Sequence, residues 1–348
     1  MKKILVFGIG GYFRKNEKAI KEEYEVIGYI DNYKNGEFYE GKVIIKPEQI
    51  REYEEKYDEI VIMLEKVSLN MEVVRQLLYH QFADADKIKI GLAKYDFQNE
   101  FQIAVLEDGR WDIQFSDASI IVTSEMEFWD LRSMYFEDNY CHKLNNGKKD
   151  VIIDVGMNIG DSAIYYLNKK DTEKVYGFEP FEQTFKLAKE NIERNYFDKS
   201  RYEIFPFGLS NHDERKKIFY HPEISIMLST DDKMSALERR DYENSHCCSL
   251  ENTLEEAEVE VRKASDIIGE IIKIHQNQNI VLKLDCEGEE YAILEDLDKE
   301  KILCMVHYIT LEWHYRGKEK IEQYLNRNGF SYCGRIIRQD LGQMFAWK

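Results

Sequence analysis

Two stretches of the chain set chemically capable side chains at the ends of apolar runs. In VIIDVGMNIGDSA, residues 151–163, the run Val151 to Ile153 reads as a buried strand. Gly156 and Gly160 then bracket a tight turn into a helix that starts near Asp161, so a ligand can approach the backbone closely. The following strand, KVYGFEP, ends at Glu179, 25 positions after Asp154, where a carboxylate can accept both hydroxyl protons of a ribose. Together these features mark a nucleoside site without saying which nucleoside. Asp154 narrows the choice: a carboxylate before the first glycine suits a cationic amino-acid group and repels the pyrophosphate of a dinucleotide. Asn158 adds a second polar side chain to the turn, and it serves equally well as a helix cap.

Further on, IVLKLDCEGEE crowds Asp285, Glu287, Glu289 and Glu290 at a strand end. Mutual repulsion there raises a carboxyl pKa toward the range of a general base. Asp285 is assigned to the nucleoside side and Glu287 to the general base. The next strand, YITLEWHY, ends at His314, and parallel neighbours put their carboxyl ends on one rim. His314 is therefore the third catalytic candidate, with a structural hydrogen-bonding role as the alternative. Glu312 shares its face and the pair would otherwise bind substrate hydroxyls. Asp285, Glu287 and His314 include oxygen ligands of the type magnesium takes, but strand-end acids are usually just solvated and no metal is assigned. Lys283 is expected to pair with one of these acids. Of Trp111, Trp129, Trp313 and Trp347, only Trp313 falls near this chemistry.

Elements that position these residues alternate along the chain. Strands at 4–8, 25–31, 43–47 and 59–64, with helices near 15–24, from Glu48 and near 70–82, describe βαβ units and a parallel sheet. From about 95 to 140 the pattern changes to FQIAVLEDG, RWDIQF and ASIIVT, with a hairpin turn at Asp108 and Gly109. The βαβ rhythm restarts at Asp150, with YEIFPFGLS as a third strand, and the last two strands, separated only by QDL, pair antiparallel at the sheet edge. The expected organisation is α/β with two Rossmann-like domains: an N-terminal domain over 1–94, a β-rich connecting element over 95–140 and a catalytic domain over 141–348.

At these residues the chain resembles the FkbM family of class I S-adenosylmethionine-dependent methyltransferases. The resemblance runs from SEMEFWDLRSMYFEDNYC through DVGMNIGDSA, FEPFEQTFKLAKENIERN, FPFGLSN, VEVRKASDI and VLKLDCEGEEYAIL to ITLEWH. It implies that Asp154, Gly156, Asn158 and Gly160 hold the methionine part of S-adenosyl-L-methionine, with Met157 adding bulk where the family has alanine. It further implies that Glu179 takes the ribose, that Pro180 and Phe181 flank it, that Gly208 and Leu209 lie beside the adenine, and that Asp285 closes the pocket near the sulfonium. The leucine-aspartate pair of the family's third motif is Ser265 and Asp266 here, and a charged insertion over about 221–258 bears on substrate choice. The implied reaction is O-methylation of a saccharide or glycan precursor.

The N-terminal FGIGGYFRK, with Asp31 ending the second strand, is similar to the nucleotide-binding half of sugar-modifying and epimerase-like proteins. Phe13 occupies the place of a third fingerprint glycine, so a structural or docking domain competes with a nucleotide binder. The alternative function is a dinucleotide-dependent oxidoreductase or epimerase with a vestigial methyltransferase part. A net charge of -18 disfavours nucleic acid and anionic membranes. Six cysteines without CxxC spacing read as free thiols, and no run approaches the roughly 20 apolar residues of a membrane span. The expected setting is the cytoplasm, the partner a small or glycan acceptor, either free or nucleotide-linked, and self-association is left open.

Overall fold

A computed structural model describes all of the chain except residues 54, 96–99, 138–139, 141–143, 145, 221–254 and 339. Contacts cluster into two units, Met1–Phe128 and Trp129–Lys348. The first contains strands β1 (Lys3–Phe7), β2 (Glu25–Ile30), β3 (Phe38–Tyr39), β4 (Lys42–Ile45), β5 (Glu59–Ile62) and β6 (Ile88–Ile90). Their order is β3-β4-β2-β1-β5-β6, all parallel except the β3–β4 hairpin. Helices α1 (Gly11–Glu23) and α2 (Val67–Tyr79) provide crossovers, as the alternation requires, and the short α3 (Gly91–Tyr95) follows β6, while the helix expected from Glu48 is a 3-10 segment over Pro47–Tyr53.

Residues expected as a connecting element are divided between the units. Strands β7 (Gln102–Val105), β8 (Trp111–Gln114) and β9 (Ser119–Val122) form an antiparallel sheet within the first unit. Gly109 turns the hairpin at φ +85°, a left-handed conformation that glycine adopts without a Cβ clash. The division between units falls within α4 (Glu125–Glu137).

In the second unit, β10 (Asp150–Val155) is buried at every residue because a parallel central strand is covered on both faces. It is followed by α5 (Asp161–Leu167), β11 (Thr172–Phe178), α6 (Glu182–Arg194), β12 (Tyr202–Phe205), β13 (Gly208–Ser210), β14 (Glu214–Tyr220), β15 (Glu255–Lys263), α7 (Ala264–Ile274), β16 (Asn279–Leu284), α8 (Glu290–Lys299), β17 (Tyr308–His314), α9 (Glu319–Arg327), β18 (Ser331–Arg338) and β19 (Leu341–Trp347). The main sheet runs β12-β11-β10-β16-β17-β19-β18, parallel through β17 and antiparallel for the last two strands. The fold is thus α/β, with Rossmann-like sheets and the antiparallel edge expected from the sequence.

YEIFPFGLS does not form one strand. Pro206 has no N–H to give to a ladder, and the chain leaves the main sheet after Phe205 to pair β13 with β15 in a separate three-stranded sheet. The expected insertion joins β14 to β15: residues 255–258 belong to β15, and 221–254 lie outside the described residues. Cys286, Cys304 and Cys333 are free thiols, whereas Cys141, Cys247 and Cys248 fall outside that description. Among the described residues no helix is long and apolar enough to cross a membrane.

Candidate active site

From β10 the chain first builds β11 and β12 on one side, then crosses to β16 on the other. The crevice at the carboxyl ends of β10 and β16 is therefore the topological switch point where open α/β sheets bind ligands. The loop between β10 and α5 occupies it. Gly156 has φ +76°, and a Cβ added there would lie 1.8 Å from the Asp285 carbonyl oxygen, so glycine alone permits this approach to the end of β16. The Gly156 and Met157 N–H groups both donate to the Phe178 carbonyl, at 3.0 and 3.1 Å. Gly160, at φ +84°, lets the start of α5 press on Ala188 of α6. Met157 is fully buried with its sulfur over Gly177, where any Cβ would come within 2.4 Å of Sδ, so its bulk faces the sheet rather than the crevice.

Asn158 sits at φ +46°, and its Oδ1 is buried without a hydrogen-bond partner. Glu179 is also buried, and it accepts hydrogen bonds from the backbone N–H of Phe181, at 3.0 Å, and of Asn158. Burial pushes its pKa up to about 8, against the pull of those two N–H groups. The orphan oxygen, the glycine cradle and this carboxyl fit a ligand bearing an amine and a ribose. Pro180 is half-buried and packs by Gly208, while Phe181 joins Ile218 and Val259 in a small apolar cluster. Leu209, expected beside adenine, is 2% exposed and belongs to the main core.

Asp154 lies beneath the loop. Its side chain is fully buried, accepting from Ser162 Oγ at 2.6 Å and lying 3.2 Å from Lys283 Nζ, its register partner on β16. Burial works against the Lys283 charge, but the carboxylates of Asp154, Asp285 and Asp161 together outweigh it and raise the lysine pKa. Lys283 also donates to the Gly156 carbonyl at 2.5 Å. Asp154 thus fixes the loop's shape through Lys283, and its Oδ1, buried in that ion pair, has no hydrogen-bond partner among the described residues. Lys283 correspondingly pairs with Asp154 and not with the strand-end acids. Asp161, buried at the first turn of α5, has its pKa pushed up to about 7 by burial despite Lys283 and the helix-start N–H groups.

At the rim, Asp285 Oδ2 accepts from the Tyr140 hydroxyl at 2.7 Å. The chain turns sharply after it, with Glu287 at φ +50° and Gly288 at φ +104°. Glu289 leaves the cluster to accept from Ser210, and Glu290 is fully buried beneath the turn, accepting from the N–H groups of Cys286 and Gly288 at 2.9 and 3.0 Å. His314 is brought in as expected: Nε2 lies 3.3 Å from Glu287 and 3.7 Å from Glu312, and Nδ1 lies 3.2 Å from Glu290. Burial alone would lower its pKa, but Glu287 and Glu290 hold it well above the usual histidine range, which works against a proton-accepting role. Glu312 has its carboxyl pKa pushed up to about 8, by burial first and then by Asp285. Trp313 is 2% exposed in the core and does not face this rim.

A model of the FkbM methyltransferase domain matches residues 154–332, just over half of the chain. The chain belongs to the FkbM methyltransferase family. Its first 88 residues match a second model, described as C2185-like, N-terminal. The chain is 28% identical over 151 residues to Methyltransferase 1 of Beauveria bassiana, covering 43% of this chain and 59% of that protein. Methyltransferase sdnD of Sordaria araneosa is 24% identical over 233 residues, covering 63% of this chain and 88% of that one. The chain thus spans less than two-thirds of the Beauveria relative. A crystal structure of methyltransferase FkbM from Methylobacillus flagellatus KT aligns over 99% of this chain and 90% of its own, with 14% identity and a TM-score of 0.36.

These matches name no nucleotide-sugar domain at the N-terminus, and the local geometry there is self-contained. Asp31 spends its carboxylate on the N–H groups of Tyr33, Lys34 and Ile9, at 3.0, 3.2 and 3.4 Å. Phe13 is fully buried, edge-on to Tyr29 and Tyr39. In the FkbM unit, the side chains near the rim that the sequence did not single out are Tyr140 and Asp130. Asp130 has its pKa raised well above normal by burial and by the charges of Asp161, Asp285 and Glu312. Asp130 and Tyr140 stand in the SEMEFWDLRSMYFEDNYC lead-in, a motif that pointed to the family without assigning side chains.

Proposed function

We propose that this FkbM-family chain is an S-adenosylmethionine-dependent methyltransferase acting on a hydroxyl of a saccharide or glycan precursor, free or nucleotide-linked. The observation that carries this reading is the cradle itself: Gly156 closed to 1.8 Å of the Asp285 carbonyl for any added Cβ, with an orphan Asn158 Oδ1 and the Glu179 carboxyl facing the same switch point. S-adenosylmethionine, when bound, supplies an electrophilic methyl group. Asn158 Oδ1 would accept from the ligand's ammonium, and Glu179 would accept from the ribose hydroxyls. The buried Asp154–Lys283 pair keeps the Gly156 carbonyl in place, so the loop is preorganised before any ligand arrives.

On the acceptor side, Asp285, Glu287 and Glu312 supply carboxylate oxygens that accept hydrogen bonds from sugar hydroxyls, and Glu287 or Glu312 takes the proton of the attacking one. The saccharide class is supported by the family resemblance and by this acceptor-rich rim. Incubation with labelled methyl donor and a panel of saccharides tests the reading. Label recovered in an alkali-stable methyl ether supports it, and label found only in an alkali-labile ester or on nitrogen counts against it. Loss of turnover in Glu287→Gln or in Glu312→Gln, but not both, identifies the base.

A further inference from the structure

The rim holds a ligand set that methyl transfer does not by itself require. Asp285, Glu287 and His314 each offer one ligand atom, and the three atoms lie within 4.8 Å of one another. Around a cation with bonds of about 2.1 Å, adjacent ligand atoms stand roughly 3.0 Å apart and opposite ones roughly 4.2 Å. The Glu287 to His314 Nε2 separation of 3.3 Å is that of adjacent ligands.

A second, independent observation concerns the imidazole. His314 is 4% exposed. Its hydrogen bond is made by Nδ1 to Glu290, which lies outside the ligand set, is fully buried and is itself held by two backbone N–H groups. Nε2 faces the acids, 3.3 Å from Glu287 and 3.7 Å from Glu312. A histidine whose far nitrogen is oriented by a carboxylate, with the near nitrogen facing other oxygen ligands, is the outer arrangement found around protein-bound metals. Charge favours a cation too. Among the described residues, Asp285, Glu287, Glu290 and Glu312 lie around the imidazole, and the nearby Lys283 is paired with Asp154.

We propose that Asp285, Glu287 and His314 Nε2 bind one divalent cation, with Glu290 orienting the imidazole and Tyr140 orienting the Asp285 carboxylate. One imidazole with two carboxylates suits a borderline-hard ion of the manganese type. This site would place positive charge on the rim beside the acceptor. It goes beyond the methyl-transfer reading and does not depend on it.

The chain, stripped by chelator, is titrated with Mn²⁺ and the loss of the free-ion signal is followed by electron paramagnetic resonance. One Mn²⁺ per chain is expected, with binding abolished in His314→Gln and Glu287→Gln and weakened about 10–100-fold in Glu290→Gln. Absence of Mn²⁺ binding below millimolar concentration, or binding unchanged in both His314→Gln and Glu287→Gln, overturns the proposal. Glu287 is part-exposed, so that variant remains informative if a buried one fails to fold. S-adenosylhomocysteine binding by the same preparations separates the two readings: retained without Mn²⁺ binding, it removes the metal alone, and Mn²⁺ binding without it removes the cofactor assignment alone.

Discussion

Glu179 makes cofactor affinity depend on pH in a way that can be worked from the structure. Burial holds its carboxyl at about 8, against 4.5 for an exposed glutamate. Two ribose hydroxyls are donors, so the form that binds them is the carboxylate, and below pH 8 binding must first expel a proton. Each pH unit below the pKa costs about 1.4 kcal/mol, a factor of roughly 10. S-adenosylhomocysteine should therefore bind about 100-fold more weakly at pH 6 than at pH 8.5 and about 10-fold more weakly at pH 7, with close to one proton released per ligand at the lower values. Titration calorimetry in buffers of different ionisation enthalpy reads both quantities. Glu179→Gln should bind weakly at every pH, with no proton release. Affinity that is flat from pH 6 to 8.5 in the parent chain, or a slope that survives in Glu179→Gln, would refute the reasoning. The same shift sets a stability trend. Because the folded pKa is raised, the contribution is fully present below about 4.5 and is lost as pH rises through about 8, to a limit on the order of 5 kcal/mol. Glu179→Gln should flatten the fall in Tm across that window.

Two further predictions concern the cradle. Gly156→Ala must accommodate a Cβ at a left-handed φ of +76° and 1.8 Å from the Asp285 carbonyl oxygen, so the loop must move, and S-adenosylhomocysteine binding should disappear while circular dichroism shows a folded chain. Retained affinity would show that the loop's closeness to β16 is unimportant. Lys283→Met leaves Asp154 as an uncompensated buried charge, a loss of about 3–5 kcal/mol, or a Tm lowered by roughly 6–20 °C in a unit of this size. Replacing both residues, as Lys283→Met with Asp154→Leu, should recover part of that loss by differential scanning calorimetry.

Much of the site was legible because it depends on short-range periodicity. The glycines after β10, Glu179 at the end of β11, and the shared face of Glu312 and His314 follow from strand ends and a two-residue repeat. What was not legible depends on register. Asp154 faces Lys283 only because β10 and β16 pair residue 154 with residue 283, and nothing local reports an alignment across so long a stretch of chain. Tyr140 reaches Asp285 from a segment that precedes the whole sheet. The burial of Leu209 and Trp313 likewise follows from tertiary packing, which overrides a strand-end position in the sequence. The break at Pro206 could have been read locally, since a residue without an N–H argues against a single continuous strand.

The cofactor assignment is tested most directly by titrating the folded chain at pH 8.5 with S-adenosylhomocysteine and, separately, with NAD. Saturable binding of one S-adenosylhomocysteine per chain, absent in Gly156→Ala, with no heat from NAD, is the predicted result. Binding of NAD, or of neither ligand, would contradict it.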